Sequence, residues 1–197
     1  VYGYLPYWEM SGETLDFLDW NALSDLGLFS VTWTGSGTLD TTQSGYRAIT
    51  GPLGRSAVAT ARARGVRVEI CFTSFGYDKN ATFFGDPARQ ERTISELRAF
   101  VRETGAQGVN VDVEQIRTSW FDEYGAFVAA LRAALRTDDP SATVSVATHA
   151  NNSGAQMAKL AADAGADRIF IMGYAYRTGS SNPGAIAPLV GRATTGG

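Results

Sequence analysis

The chain has 197 residues, enough to bury one substantial core, so a single domain is expected across 1–197. Apolar residues make up 44% and charged residues 19%, a balance typical of folded globular domains rather than disordered chains. The formal charge of -3 argues against a nucleic-acid partner, and the lack of a run of 18 apolar residues argues against membrane insertion.

Short apolar segments alternate along the chain with amphipathic ones. The short segments are rich in β-branched and aromatic residues and are predicted as strands, at 1–6, 27–34, 66–72, 108–113, 143–148 and 168–174. Apolar residues at helical spacing predict helices between them, at 55–64, 87–104, 122–135 and 153–164. The polar stretch 34–51 is predicted as a long, glycine-rich loop, the kind of connection that often carries function.

Strands that alternate with helices indicate a parallel sheet, which is either an open doubly wound sheet or a barrel. A (β/α)8 barrel takes about 250 residues. The favoured fold class is therefore α/β, of (β/α)8 TIM-barrel type, with this chain covering about six of the eight units and cut after the sixth. A complete six-stranded open sheet is the competing interpretation.

The fourth strand carries the most informative pattern. Because side chains alternate across a strand, one face is formed by valines and the other by Asn110, Asp112 and Glu114. The polar side chains would be spaced roughly 6–7 Å apart. At the C-terminal rim of a barrel, two neighbouring carboxyls can supply an acid that stays protonated near neutral pH. The alternative is that they end the strand and pair with arginines of nearby helices.

Few residues suggest other chemistry. Cys71 and His149 are the only cysteine and the only histidine, so neither a cysteine metal site nor a site of several imidazoles is expected. Gly35-Ser36-Gly37 lacks the rest of a dinucleotide fingerprint, so no cofactor is predicted. His149 ends the fifth strand and either contacts a substrate or is bonded to neighbouring loop atoms. Asn80-Ala81-Thr82 fits the glycosylation sequon, a pattern that is common by chance.

Aromatic residues near predicted strand ends are candidates for stacking on sugar rings, with ordinary packing as the alternative. The stronger candidates are Tyr4, Tyr7, Trp8, Trp33, Trp120 and Tyr176, and the weaker ones are Phe75 and Tyr77.

Three motifs together resemble glycoside hydrolase family 18. Residues 107–114 read Q-G-V-N-V-D-V-E, where the family has D-G-x-D-x-D-x-E or, in a branch that includes spore-cortex hydrolase-like proteins, D-G-V-N-I-D-F-E. Residues 2–8, Y-G-Y-L-P-Y-W, are similar to the family's first strand. Residues 171–174 are similar to its sixth-strand M-x-Y motif, and 183–189 to the segment that follows. The resemblance covers nearly the whole chain.

The resemblance implies a glycosidase that cleaves β-1,4 linkages next to N-acetylhexosamine, with retention and assistance from the substrate. Glu114 would protonate the leaving oxygen, Asp112 would hold the acetamide N–H, and Tyr174 would donate a hydrogen bond to the acetamide oxygen. The implied partner is an oligo- or polysaccharide containing N-acetylglucosamine, such as chitin, a peptidoglycan-like glycan or an N-glycan core. No metal or cofactor is implied. The expected substrate-binding residues are Tyr4, Trp8, Trp33, Asn110, Met172 and Tyr176.

The chain departs from the family pattern at three positions. Gln107 replaces a mainly structural acid and can still hydrogen-bond. Asn110 replaces the middle acid, which leaves Asp112 without a carboxylate to share its proton and is expected to lower the pKa of Asp112. Ala175 replaces a substrate-contacting aspartate, so a weak or inactive sugar-binding protein is the alternative function. The substrate class implies a secreted or cell-envelope location.

Overall fold

The structure, a computed structural model, describes residues 1–174. Within this range the strands are β1 (Tyr2–Pro6), β2 (Asp25–Thr32), β3 (Arg67–Phe75), β4 (Gly108–Glu114), β5 (Thr143–His149) and β6 (Arg168–Met172). The helices are α1 (Gly12–Phe17), α2 (Ser44–Thr50), α3 (Pro52–Ala63), α4 (Tyr77–Phe84), α5 (Pro87–Thr104), α6 (Phe121–Asp138) and α7 (Asn152–Asp163). None of these helices is both long and apolar enough to cross a membrane.

The six strands form one parallel sheet in the order β1-β2-β3-β4-β5-β6. A doubly wound sheet would reverse its strand order at a switch point, and this sheet does not. The sheet is also strongly curled. The ring centroids of Tyr4 on β1 and Phe170 on β6, the two edge strands, lie only 5.0 Å apart. In a flat sheet those two edge strands would be separated by five spacings, about 24 Å. The predicted partial (β/α)8 barrel is confirmed, and the open sheet is excluded.

The two faces of the sheet carry different side chains, as the alternation predicts. Val109, Val111 and Val113 are buried in the apolar core that β4 shares with the helices. The opposite faces of the strands line the concave interior, which is crowded where β1 meets β2. A Cβ on Gly27 would lie 3.0 Å from both the Tyr2 hydroxyl and the Tyr4 ring, so the interior there has no room for a side chain.

All six predicted strands are present, with boundaries shifted by a few residues. The prediction that 34–51 is a loop is wrong, because α2 occupies Ser44–Thr50. The sequence also gave no indication of α1 and α4. These helices have six to eight residues, and α1 buries none of them. A helical repeat of apolar residues needs a longer segment to be recognised.

Candidate active site

A cavity of about 330 Å³ opens at the C-terminal ends of the strands, where barrel enzymes have their active sites. Its volume lies at the lower end of the range for ligand pockets, about 300–1,000 Å³. Five residues that the sequence singled out line it together: Tyr4, Trp8, Asp112, Met172 and Tyr174. The remaining lining residues are Pro6, Phe29, Ala147 and Phe170.

Asp112 is the acidic residue that lines this cavity. Its side chain is 5% exposed, and among residues 1–174 no hydrogen-bond donor reaches its Oδ1 atom. Burial, and to a smaller degree the charge of Glu114, raises the pKa of Asp112 to about 7. The sequence analysis expected a lowered pKa for Asp112, because Asn110 replaces a carboxylate that could share its proton. The structure gives a raised pKa, because the effect of burial is larger.

Glu114 ends β4 beside the cavity but is not among the residues that line it. Its Oε2 atom lies 2.9 Å from Nε2 of His149, and both side chains are partly exposed. The strand register explains the contact. Asp112 is paired with Ala147, and two residues further along the two strands come Glu114 and His149. His149 therefore contacts the predicted catalytic acid, a partner that neither sequence-based alternative for this residue included.

Tyr174 also lines the cavity and follows β6. Burial raises the pKa of its hydroxyl, and the charges of Asp112 and Glu114 add to the effect. The hydroxyl therefore stays protonated at neutral pH and is available as a hydrogen-bond donor. The three predicted catalytic groups thus come from β4 and from the residues that follow β6.

Asn110 lies beneath the cavity, not in it. Its side chain is fully buried, and its Oδ1 atom accepts hydrogen bonds from the Tyr4 hydroxyl at 3.2 Å and the Cys71 thiol at 3.4 Å. Its Nδ2 atom donates to Ser145 Oγ at 2.7 Å. With these bonds made, Asn110 supports the cavity floor and is not positioned to contact a substrate.

The structure does not bring Trp33 to the cavity either. The side chain is 5% exposed, its ring packs against Phe83, and its indole N–H donates to Ser74 Oγ at 2.9 Å. A covered indole cannot stack on a sugar, so the substrate-binding prediction for Trp33 is wrong. Tyr176 and Ala175 lie outside the described residues.

Gln107 retains a structural role at the other end of β4. Its Oε1 atom accepts a hydrogen bond from the backbone N–H of Val68 at 3.1 Å. The glutamine therefore joins the start of β4 to β3 by a hydrogen bond, as expected for a residue at this structural position.

Asn80 on α4 is a residue that the sequence did not identify as part of the site. Its side chain is fully buried, so the sequon at 80–82 is not an accessible acceptor. Its Oδ1 atom accepts from Ser74 Oγ at 2.7 Å, and its Nδ2 atom donates to the backbone oxygen of Glu114 at 2.6 Å. Asn80 thus fixes the backbone that carries the predicted acid.

The described residues offer no cluster of three or more histidine, cysteine, aspartate or glutamate side chains that could hold a metal ion. Cys71 is fully buried, and burial raises the pKa of its thiol, so this group remains protonated.

A sequence model of glycosyl hydrolases family 18 matches residues 1–196. The chain belongs to this family. No curated protein matches the sequence.

Several solved structures share the family 18 fold seen here. A chitinase from Bacteroides thetaiotaomicron superposes with a TM-score of 0.75 at 21% identity, over 95% of this chain and 58% of that one. The spore cortex-lytic enzyme SleL of Bacillus cereus superposes with a TM-score of 0.75 at 18% identity, over 95% and 43%. A chitinase from Chromobacterium violaceum gives 0.72 at 17% identity, over 94% and 59%. This chain thus spans roughly half the length of these family 18 structures.

Proposed function

We propose that this family 18 chain is a glycosidase that hydrolyses β-1,4 linkages next to an N-acetylhexosamine. The observation that carries the proposal is the Asp112 carboxyl, which lines the cavity with one buried oxygen that accepts no hydrogen bond from residues 1–174. A buried acceptor without a donor is costly, and the acetamide N–H of a bound sugar would supply the donor. Tyr174, which lines the same cavity, is a donor for the acetamide oxygen.

In the proposed mechanism, Glu114 protonates the glycosidic oxygen while the acetamide oxygen of the same sugar attacks the anomeric carbon. Asp112 accepts the acetamide N–H and stabilises the positive charge that develops on the resulting oxazolinium ring. Glu114 then removes a proton from the water that opens the ring, and the anomeric configuration is retained. The contact with His149 orients the Glu114 carboxyl between these two steps.

The substrate class is consistent with the structural neighbours, which include chitinases and a spore cortex-lytic enzyme. We propose an N-acetylglucosamine-containing glycan as substrate and, because such polymers lie outside the cytoplasm, a secreted or cell-envelope location. Cell fractionation followed by immunodetection would locate the protein, and a purely cytosolic signal would contradict the proposed location.

The decisive variant is Glu114→Gln, which keeps the shape of the side chain but removes the transferable proton. We expect hydrolysis of N-acetylglucosamine oligomers to fall about 100-fold or more, with binding retained. NMR of the first product should show the β anomer in the parent protein. Glu13→Gln, on the exposed side of α1, is the matched control and should leave the rate unchanged. Full activity of Glu114→Gln would remove the assignment.

A sugar-binding protein without catalysis is the second candidate, and the position of Glu114 outside the cavity lining favours it. It predicts saturable binding of the same oligomers, with no product formed even at high protein concentration. The product assay of the parent protein therefore separates the two candidates.

A further inference from the structure

A second cavity, of about 250 Å³, adjoins the first at the ends of β1, β2 and β3. The two cavities share Trp8 and Phe29 as lining residues. A chain of sugars that extends from the first cavity past Trp8 would therefore enter the second. The other lining residues are Tyr7, Ser30, Thr32, Gln43, Thr73, Phe75 and Lys79.

Lys79 is the charged residue among those that line the second cavity. Its ammonium donates a hydrogen bond to Thr32 Oγ1 at 2.8 Å and lies 5.2 Å from the centre of the Trp33 ring. Within residues 1–174, no carboxylate comes within ion-pair distance of it. The nearby Asp40 accepts instead from the Thr42 N–H and hydroxyl, at 2.9 and 2.6 Å.

Lys79 is also partly desolvated. Burial lowers the pKa of its amine from the ordinary lysine value, and the negative charge of Asp40 offsets only part of this effect. A half-buried cation is stabilised when an anion enters beside it. The contacts to Thr32 and Trp33 fix the position of the ammonium without neutralising its charge. The second cavity is thus prepared for a negatively charged group.

Two other features of this cavity match a sugar. The Oε1 atom of Gln43 is buried and accepts no hydrogen bond from residues 1–174, so it can accept one from a hydroxyl or an amide. Trp8 and Phe75 line the cavity and are 62% and 42% exposed, so their aromatic rings are available for stacking. Stacking surfaces, a free acceptor and a cation together fit an acidic sugar better than a neutral one.

We propose that the second cavity binds a carboxylate-bearing sugar unit of the same glycan, with Lys79 as the carboxylate-binding residue. The proposal rests on the proposed function, because it requires a glycan to occupy the first cavity. It makes Lys79 a specificity-determining residue that distinguishes acidic from neutral glycans.

The test measures the binding of defined oligosaccharides by calorimetry, in the Glu114→Gln background so that no ligand is consumed. The ligands are a neutral N-acetylglucosamine oligomer, an oligomer that alternates N-acetylglucosamine with its lactyl ether N-acetylmuramic acid, and one that alternates it with glucuronic acid. A carboxyl-reduced form of each acidic oligomer completes the set. The two acidic ligands separate a lactyl carboxylate from a uronic one.

The variant is Lys79→Gln, with Lys79→Arg as the charge-preserving partner. The sequence has one other lysine, Lys159, which is exposed on α7 and pairs with Asp163, so Lys159→Gln is a control with the same change of charge. We expect Lys79→Gln to weaken binding of at least one acidic oligomer about tenfold or more and to leave the neutral and reduced oligomers unchanged. Lys79→Arg should retain most of the preference, and added salt should reduce it.

The outcomes distinguish this inference from the proposed function. If the Glu114→Gln protein with Lys79 unchanged binds neutral oligomers, and binds the acidic and the carboxyl-reduced oligomers with equal affinity, the inference is overturned but the proposed function is not. Tight binding of an acidic oligomer that depends on Lys79, without any hydrolysis by the protein with Glu114 intact, would support the inference and overturn the catalytic proposal. Absence of binding by every oligomer would overturn both.

Discussion

Asp112 makes the protein's stability depend on pH in a direction that is unusual for an aspartate. Its pKa is raised to about 7 in the folded state, whereas an unfolded aspartate titrates near its ordinary value of 3.8. The folded state therefore favours the protonated form, and stability falls as the pH rises from about 4 through 7. Over this window the penalty accumulates to as much as about 4 kcal/mol.

Asp112→Asn removes the ionisation and keeps the shape, so the variant should lose this penalty. We expect the free energy of unfolding of the variant, relative to that of the parent, to be larger at pH 8 than at about pH 4.5. Urea denaturation of both proteins at the two pH values measures it. Asp163→Asn, an exposed residue of α7, controls for the loss of one charge. Parallel pH profiles for the parent and Asp112→Asn would show that the carboxyl is not desolvated as the structure has it.

The sequence predicted the face of the sheet on which each polar residue of β4 lies, but not how deeply its side chain is buried. Alternation alone places Asn110, Asp112 and Glu114 on one side of β4, and the structure agrees. It cannot show that Asn110 is sealed by Tyr4, Cys71 and Ser145, because these residues belong to three other strands. The depth of a side chain depends on the curvature of the sheet, which no single strand reveals.

One of the short helices that the sequence left undetected, α4, completes the site. α4 follows β3 directly, covers Trp33 with Phe83 and carries both Lys79 and Asn80. With eight residues it is too short to show a clear apolar repeat. The long helices α5 and α6 were predicted correctly because their apolar residues recur over 18 positions. Sequence patterns thus predicted the strands and the long helices. They did not predict α4 or its contacts near the ends of the strands, which only the structure shows.

Asn80→Ala tests whether α4 positions the predicted acid. The change removes the donor to the backbone oxygens of Glu114 and Gln115 and the acceptor for the buried Ser74 hydroxyl. The Glu114 oxygen then keeps only the hydrogen bond from the Gly76 N–H among those of residues 1–174. We expect a loss of about 1–3 kcal/mol in stability. Because Glu114 would be displaced and not removed, kcat should fall with little change in KM.

The matched control for Asn80→Ala is Asn21→Ala. Asn21 is exposed in the loop before β2 and is distant from α4 along the sequence. It should leave both stability and kcat close to the parent values. An Asn80→Ala protein that is destabilised but keeps its kcat would assign Asn80 a structural role only.

A polar network at the base of the interior joins strands that are not neighbours in the sheet. Glu69 on β3 is fully buried and accepts hydrogen bonds from Tyr2 on β1 at 2.8 Å and from Thr143 on β5 at 2.6 Å. Ser145 on β5 also donates to this carboxyl. β1 and β5 lie on either side of β3, two strands away from it, so these bonds connect groups that only a curled sheet brings together.

Tyr2→Phe tests the contribution of this network to the curvature of the sheet. The variant keeps the ring but deprives the buried Glu69 carboxyl of one donor, and we expect a loss of about 1.5–3 kcal/mol in the free energy of unfolding. The measurement is the midpoint of urea denaturation at constant m-value, so that the change reports stability and not compactness. Tyr46→Phe is the control, because the Tyr46 ring packs on Phe100 and its hydroxyl makes no hydrogen bond within residues 1–174. If the two variants unfold at the same urea concentration, the interior hydrogen bonds do not stabilise the curl, and its origin lies in the helical layer.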